Sequence, residues 1–131
     1  MKKLAPITVS LLCLIVFASS MTFAGAMPKI AEHRSITFNS PTVLGTTELP
    51  AGTYTVDHQM QGEDHYMIFR QADVRKSKAI EVKVKCNLVP LAEKAKRDEQ
   101  RYIQNAKNQK VLTEITFRGD EATHVFSAPT T

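Results

Sequence analysis

From Ile80 to Leu88 the chain alternates without a break. Ile80, Val82, Val84, Cys86 and Leu88 fall on one side, and Glu81, Lys83, Lys85 and Asn87 on the other. A period of two belongs to extended backbone, so this run is a strand with one dry face and one wet face. Such a strand suits an antiparallel sheet, which can leave one face in water; parallel sheets bury both.

Other segments repeat the pattern more briefly. Ser35-Ile36-Thr37-Phe38-Asn39 alternates around Ile36 and Phe38 and is read as a first strand, closed by Asn39-Ser40-Pro41. Val43 to Leu49 is read as a weaker strand, in which Gly45 marks a bulge or a close backbone approach. Leu49-Pro50-Ala51-Gly52-Thr53-Tyr54-Thr55-Val56 is a tight turn feeding a strand that runs to about Met60. That strand sets Tyr54, Val56, His58 and Met60 on one face. Gln61-Gly62-Glu63-Asp64 then turns the chain into His65-Tyr66-Met67-Ile68-Phe69-Arg70, forming a hairpin.

Ala72 to Ser77 is a polar loop, and Pro90 stops the Ile80–Leu88 strand. Ala92 to Gln100 consists of tolerable helix formers, but Leu91, Ala92 and Ala95 make too thin an apolar stripe to dock a helix. This stretch is therefore a polar loop or a single helical turn, leading into a strand over Arg101–Gln104. Val111, Thr113, Ile115 and Phe117 line one more strand, and Thr123–Phe126 closes the domain. The expected fold is all-β: a small antiparallel β-sandwich or β-barrel of about seven or eight short strands. Sequential strands should pair as a meander, with any crossing placed after Pro90.

Lys2 and Lys3 precede an apolar run from Leu4 to Phe17, and Ala24-Gly25-Ala26 offers a small-x-small cleavage site. Residues 1–26 thus read as a secretory signal peptide, and the run is short of the about 20 residues a bilayer span requires. The expected organisation is a flexible lead-in over 27–34, one β domain over 35–127 and a tail over 128–131. The expected location is periplasmic or extracellular, with no membrane span after signal cleavage. Two of the 17 basic residues leave with the signal, so 15 face 13 acidic ones and the formal charge is only about +2. Cys13 leaves too, and Cys86 has no partner for an intramolecular disulfide.

The Phe38…Val43…Gly45 lead-in, the Leu49–Tyr54 turn and the closing Leu112-Thr113-Glu114-Ile115-Thr116-Phe117-Arg118-Gly119…Val125-Phe126 carry a resemblance. Together they resemble an uncharacterised family of small exported bacterial all-β proteins with a Leu-Pro-Ala-Gly-Thr-Tyr turn motif. The turn is also similar to hairpins of prealbumin-like sandwich modules. The resemblance implies an exported β-domain and brings no catalytic residues.

Four histidines, His33, His58, His65 and His124, are scattered along the chain without the spacing of a metal motif. No metal, cofactor or catalytic site is therefore expected. The weak candidates for a metal are His58 and His65, which a turn centred on Gly62 brings opposite one another or within one residue, with Asp57 or Asp64 nearby. Cys86 shares the apolar face of Val82, Val84 and Leu88, where a thiol acts as a small hydrophobe. Arg118-Gly119-Asp120 spells an adhesion tripeptide but also supplies what a hairpin turn needs. Leu49–Thr53 has a sorting signal's letters with glycine and threonine transposed, so cell-wall anchoring is not expected.

The basic residues from Arg75 to Arg101 are interleaved with Glu81, Glu93, Asp98 and Glu99, which makes a specific nucleic-acid surface unexpected. No nucleophile elbow, phosphate loop or paired-carboxylate pattern is present. The expectation is a non-enzymatic structural or interaction module, with an envelope protein or polymer as partner. The alternative is a small β-barrel carrier of an apolar molecule, with Tyr54, Met60, Tyr66, Met67 and Phe69 as ligand-lining residues or, as such residues more often are, simply core.

Overall fold

The computed structural model describes residues 27–126. The expected signal peptide over 1–26 and the tail over 128–131 lie outside them. The described residues hold nine strands and no helix: β1 His33–Phe38, β2 Thr42–Leu44, β3 Thr47–Leu49, β4 Gly52–Gln61, β5 Asp64–Gln71, β6 Glu81–Pro90, β7 Glu99–Gln104, β8 Lys110–Thr116 and β9 Ala122–Phe126. They form one sheet in the order β1-β4-β5-β6-β9-β8-β2-β3, with β7 on the other edge of β8. The all-β reading holds. The stretch after Pro90 is a loop without a helical turn.

The meander is correct for β4-β5-β6 and for β7-β8-β9, and the chain crosses after Pro90 as expected. A second crossing was not foreseen. β1 pairs with β4 rather than β2, from His33↔Asp57 to Phe38↔Gly52. The intervening Val43–Leu49 stretch is not one bulged strand but a hairpin, with Leu44 opposite Thr47. Gly45 takes φ +63° at the first loop position while Thr46 does not, the pattern of a type II′ turn. All three residues of β2 are buried, so this hairpin needs cover on both sides. It finds that cover by lying parallel to β8 at Val43↔Val111 and packing over β6. A methyl group at Gly45 would stand 3.3 Å from Val84 Cγ1, so the close approach expected there is real.

The sheet curls until its dry face meets itself. Ile36, Phe38, Leu44, Leu49, Tyr54, Val56, Met67, Phe69, Cys86, Leu112, Ile115, Phe117 and Phe126 form one core. The curl stops short of a closed barrel. β1 and β7 border a common groove of about 220 Å³ between Ser35–Thr37 and Asp98–Gln100 but form no ladder.

Tyr54 ties the Leu49–Val56 turn to this core. It is fully buried, its ring lies 5.5 Å from that of Phe38, and its hydroxyl donates to Pro50 O at 2.7 Å. A tyrosine bonding back to the backbone just upstream is a corner device of β-sandwiches. Gly52, at φ +149°, lets the chain leave the corner directly into β4.

The lead-in, expected to be loose, is bonded. Lys29 N donates to Glu121 Oε2 at 2.9 Å, and Glu121 N donates to Lys29 O at 2.8 Å. Ala31 N donates to Asp120 Oδ1, and His58 N to Glu32 O at 2.8 Å. Its backbone groups thus find partners on the β8–β9 turn and on β4.

Two substitutions test these supports by urea unfolding. Tyr54→Phe should cost about 1–2 kcal/mol by leaving Pro50 O without its donor. Gly45→Ala should cost about 1–3 kcal/mol through the positive φ and the Val84 contact. Neither should change the denaturant slope, since the buried surface is retained.

Candidate metal centre

Alternation fixes which side chains reach the interior. On β4 the inward set continues from Tyr54 and Val56 to His58 and Met60; on β5 it is Phe69, Met67 and His65. The Gln61↔Asp64 register makes His58 the partner of Met67 and His65 the partner of Met60. His58 and His65 are therefore diagonal neighbours rather than directly opposed, and their ring centroids are 5.3 Å apart. On β6, Cys86 is the partner of His65 and also of Phe126 on β9. His124 sits two residues back from Phe126, opposite Leu88 and Ile115.

Curvature then brings distant strands together. Two strands separate β4 from β9, so in a flat sheet they would lie about 14 Å apart at about 4.8 Å per strand. The His58 and His124 ring centroids are instead 5.4 Å apart. Cys86 Sγ lies 3.9 Å from His124 Nδ1. One donor atom each from His58, Cys86 and His124 falls within 4.8 Å of the others.

A carboxylate backs the cluster. Asp120, in the β8–β9 turn, is 1% exposed. Its Oδ1 accepts from the Arg34 guanidinium and from Ala31 N, while Arg34 stacks over the Phe117 ring at 5.7 Å. Its Oδ2 faces His124 Nε2 at 3.8 Å, beyond hydrogen-bond range. His124 thus has Nε2 on the Asp120 side and Nδ1 on the Cys86 side, the same order as in the carboxylate–imidazole arrangement of metal-binding histidines but with the carboxylate contact not closed to a hydrogen bond. His58 Nε2, His65 Nδ1 and Asp120 Oδ2 are buried without any hydrogen-bond partner.

Burial sets the protonation of the group. It pushes the Cys86 thiol up to about 11, so the thiol is neutral at ordinary pH. It holds His124 down to about 4, helped by the nearby His58 and opposed by Asp120. His58 is lowered as well, by burial first and His65 second. All three donors are uncharged and available.

The remaining candidates disperse. His33 is exposed and bonded to Asp57 Oδ1 at 2.7 Å, on the face of the β1–β4 pair opposite to His58. Asp57 and Asp64 do not join His58 and His65; Asp64 pairs with Lys85 at 3.0 Å. Tyr54, Met67 and Phe69 are core, Tyr66 faces outward beneath Lys83, and Met60 is 46% exposed, so these five do not line one cavity. Arg118-Gly119-Asp120 is the turn between β8 and β9, with its aspartate turned inward. Several basic side chains are paired locally: Arg70 with Glu81, Arg97 with Glu99 and Arg101 with Glu114.

The sequence reading singled out His58 and His65 but not Cys86 with His124 as a pair, nor Asp120. One signal was available: in β9 the inward positions are Ala122, His124 and Phe126, and a histidine in an apolar row is a buried one. No protein-family model matches the chain, and neither a curated protein nor a solved structure shows significant similarity to it.

A pH test follows from His124. A histidine ordinarily protonates near pH 6.5, whereas the folded chain holds this one neutral down to about pH 4. Between those values the unfolded chain takes up a proton that the fold refuses. The stability is therefore fully present above pH 6.5 and is lost as pH falls toward 4. Melting temperature should fall steadily from pH 6.5 to 4.5, and His124→Gln should flatten that part of the curve.

Proposed function

We propose that this protein is a non-enzymatic binding module, acting outside the cytoplasm, whose ligand is a transition-metal ion held by Cys86, His124 and His58. The observation that carries the reading is the convergence of a thiol and two neutral imidazoles from three strands within 4.8 Å. Around a metal with Zn–S near 2.3 Å and Zn–N near 2.0 Å, such donors stand about 3.5 Å apart, so donors within 4.8 Å of one another need to draw in by no more than about 1.3 Å. Thiolate with imidazole suits zinc and copper and is poorly matched to magnesium or calcium.

Cys86 and His124, taken with Asp120 in place of His58, resemble a nucleophilic triad. Against that role, Cys86 is 1% exposed and its thiol is pushed up to about 11 rather than down. A nucleophilic cysteine needs a thiolate and an approach for substrate. Metal binding needs neither in advance, because the ion itself displaces the thiol proton. The carrier alternative gains nothing from Tyr54, Met67 and Phe69, which fill the core.

The test is calorimetric titration of the metal-free protein with zinc and, anaerobically, with copper(I). One equivalent should bind, and Cys86→Ser should abolish tight binding while leaving a folded domain. At free metal 100 times Kd the fold should gain about 2.7 kcal/mol. Absence of both heat and thermal stabilisation with either ion would remove the metal reading.

A further inference from the structure

Cys86 and His124 are each 1% exposed, and their neighbours His58 and His65 are half-buried and reach the surface. Outside these two histidines lies an open groove of about 600 Å³ whose walls include Met27, Ile30, Met60 and Leu88. Two of those walls are thioethers left at water: Met60 is 46% exposed and Met27 53%. Met60 is the cross-strand partner of His65, which sets their Cβ atoms about 5 Å apart on the same face. His65 is in turn the partner of Cys86. The row Met60, His65, Cys86 thus runs from solvent to the interior across three strands, and His65 Nδ1 has no hydrogen-bond partner.

Thioether sulfur distinguishes among metals. It is soft and uncharged, and among biological ions it favours copper(I). We propose that Met60 and His65, with Met27 on the same groove, form a capture station for copper(I), which then moves inward to His58, His124 and Cys86. This rests on the metal-centre reading above. At the station the ion binds through the lone pairs of a thioether sulfur and an imidazole nitrogen, and no S–H bond is broken there. At the inner site the Cys86 S–H bond breaks, a copper–sulfur bond forms, and the proton passes to water through the groove. Copper stays in the +1 state throughout, so no oxidant or reductant is required.

The experiment is anaerobic stopped-flow loading of the metal-free protein with copper(I), supplied as its acetonitrile complex and followed by thiolate-to-copper absorption in the ultraviolet. Zinc loading, followed with a chelating dye, runs in parallel. Met60→Leu, a near-isosteric change at an exposed position, should slow copper(I) loading about tenfold, while zinc loading is unchanged. Met27→Leu should slow copper(I) loading by a smaller factor. Both variants should retain the wild-type melting temperature and final copper(I) affinity. Equal copper(I) rates in wild type and Met60→Leu would overturn the capture station, as would an equal slowing of both metals. Zinc binding without any copper(I) binding would leave the metal centre standing and remove the copper inference. Binding of neither would remove both.

Discussion

A single sheet with one apolar face has nowhere to put that face except against itself, and everything else in this protein depends on that constraint. Among the described residues, nine short strands have no helix to cover them, so the sheet curls until β1, β4 and β5 look across the core at β8 and β9. At about 25 cal/mol per Å² of apolar surface removed from water, the large inward side chains Phe38, Tyr54, Phe69, Leu112 and Phe126 reward tight curvature. The same curvature carries four polar side chains inward with the apolar ones. His58, His65, Cys86 and His124 occupy positions that the pleat assigns to the core, and at that end of the sheet the core is half polar. A polar cluster inside a dry fold is unfavourable unless its members satisfy one another or a ligand. Here they satisfy one another only in part.

The polar end is also the tied end. Asp120 accepts from Arg34 on β1 and from Ala31 in the segment before it, and Glu121 exchanges two hydrogen bonds with Lys29. Residues that precede the first strand are thereby attached to the turn that presents His124. Removing one partner from a buried ion pair ordinarily costs more than the pair contributes, because the other charge is left stranded. Arg34 and Asp120 thus hold the lead-in, β1 and the β8–β9 turn as one unit, and that unit forms the back wall of the cluster.

Much of the architecture was legible in the sequence. The alternations of Ser35–Asn39, Thr53–Met60, Ile80–Leu88 and Val111–Phe117 each became a strand, because period two is a local property that burial only reinforces. The Gly62 hairpin was legible for the same reason. The β2–β3 hairpin was not. Its two arms have three residues each, too few to show a period, and Gly45 suits a bulge as well as a turn. The pairing of β1 with β4 was hidden because it depends on where that hairpin packs. Half of the site was legible: His58 and His65 are brought together by one hairpin. Cys86 and His124 lie 38 residues apart and belong to the same cluster only after the sheet has curled, which no local pattern encodes. Asp120 was hidden by its good fit to a turn, which accounted for the residue before its carboxylate could be considered.

The unclosed groove between β1 and β7 shares the Phe117 side chain with the surroundings of the cluster, since that ring lies 6.0 Å from His124. In a closed barrel, strand number and shear together fix the radius, and no cross-barrel distance can change without breaking a ladder. This sheet is a split ring. Its radius is set by packing and by the Arg34–Asp120 tie rather than by a continuous circuit of ladder hydrogen bonds. In the proposed function, donors that begin within 4.8 Å of one another draw in around the ion. The missing ladder leaves the calibre of a small domain to side-chain packing instead of to strand count.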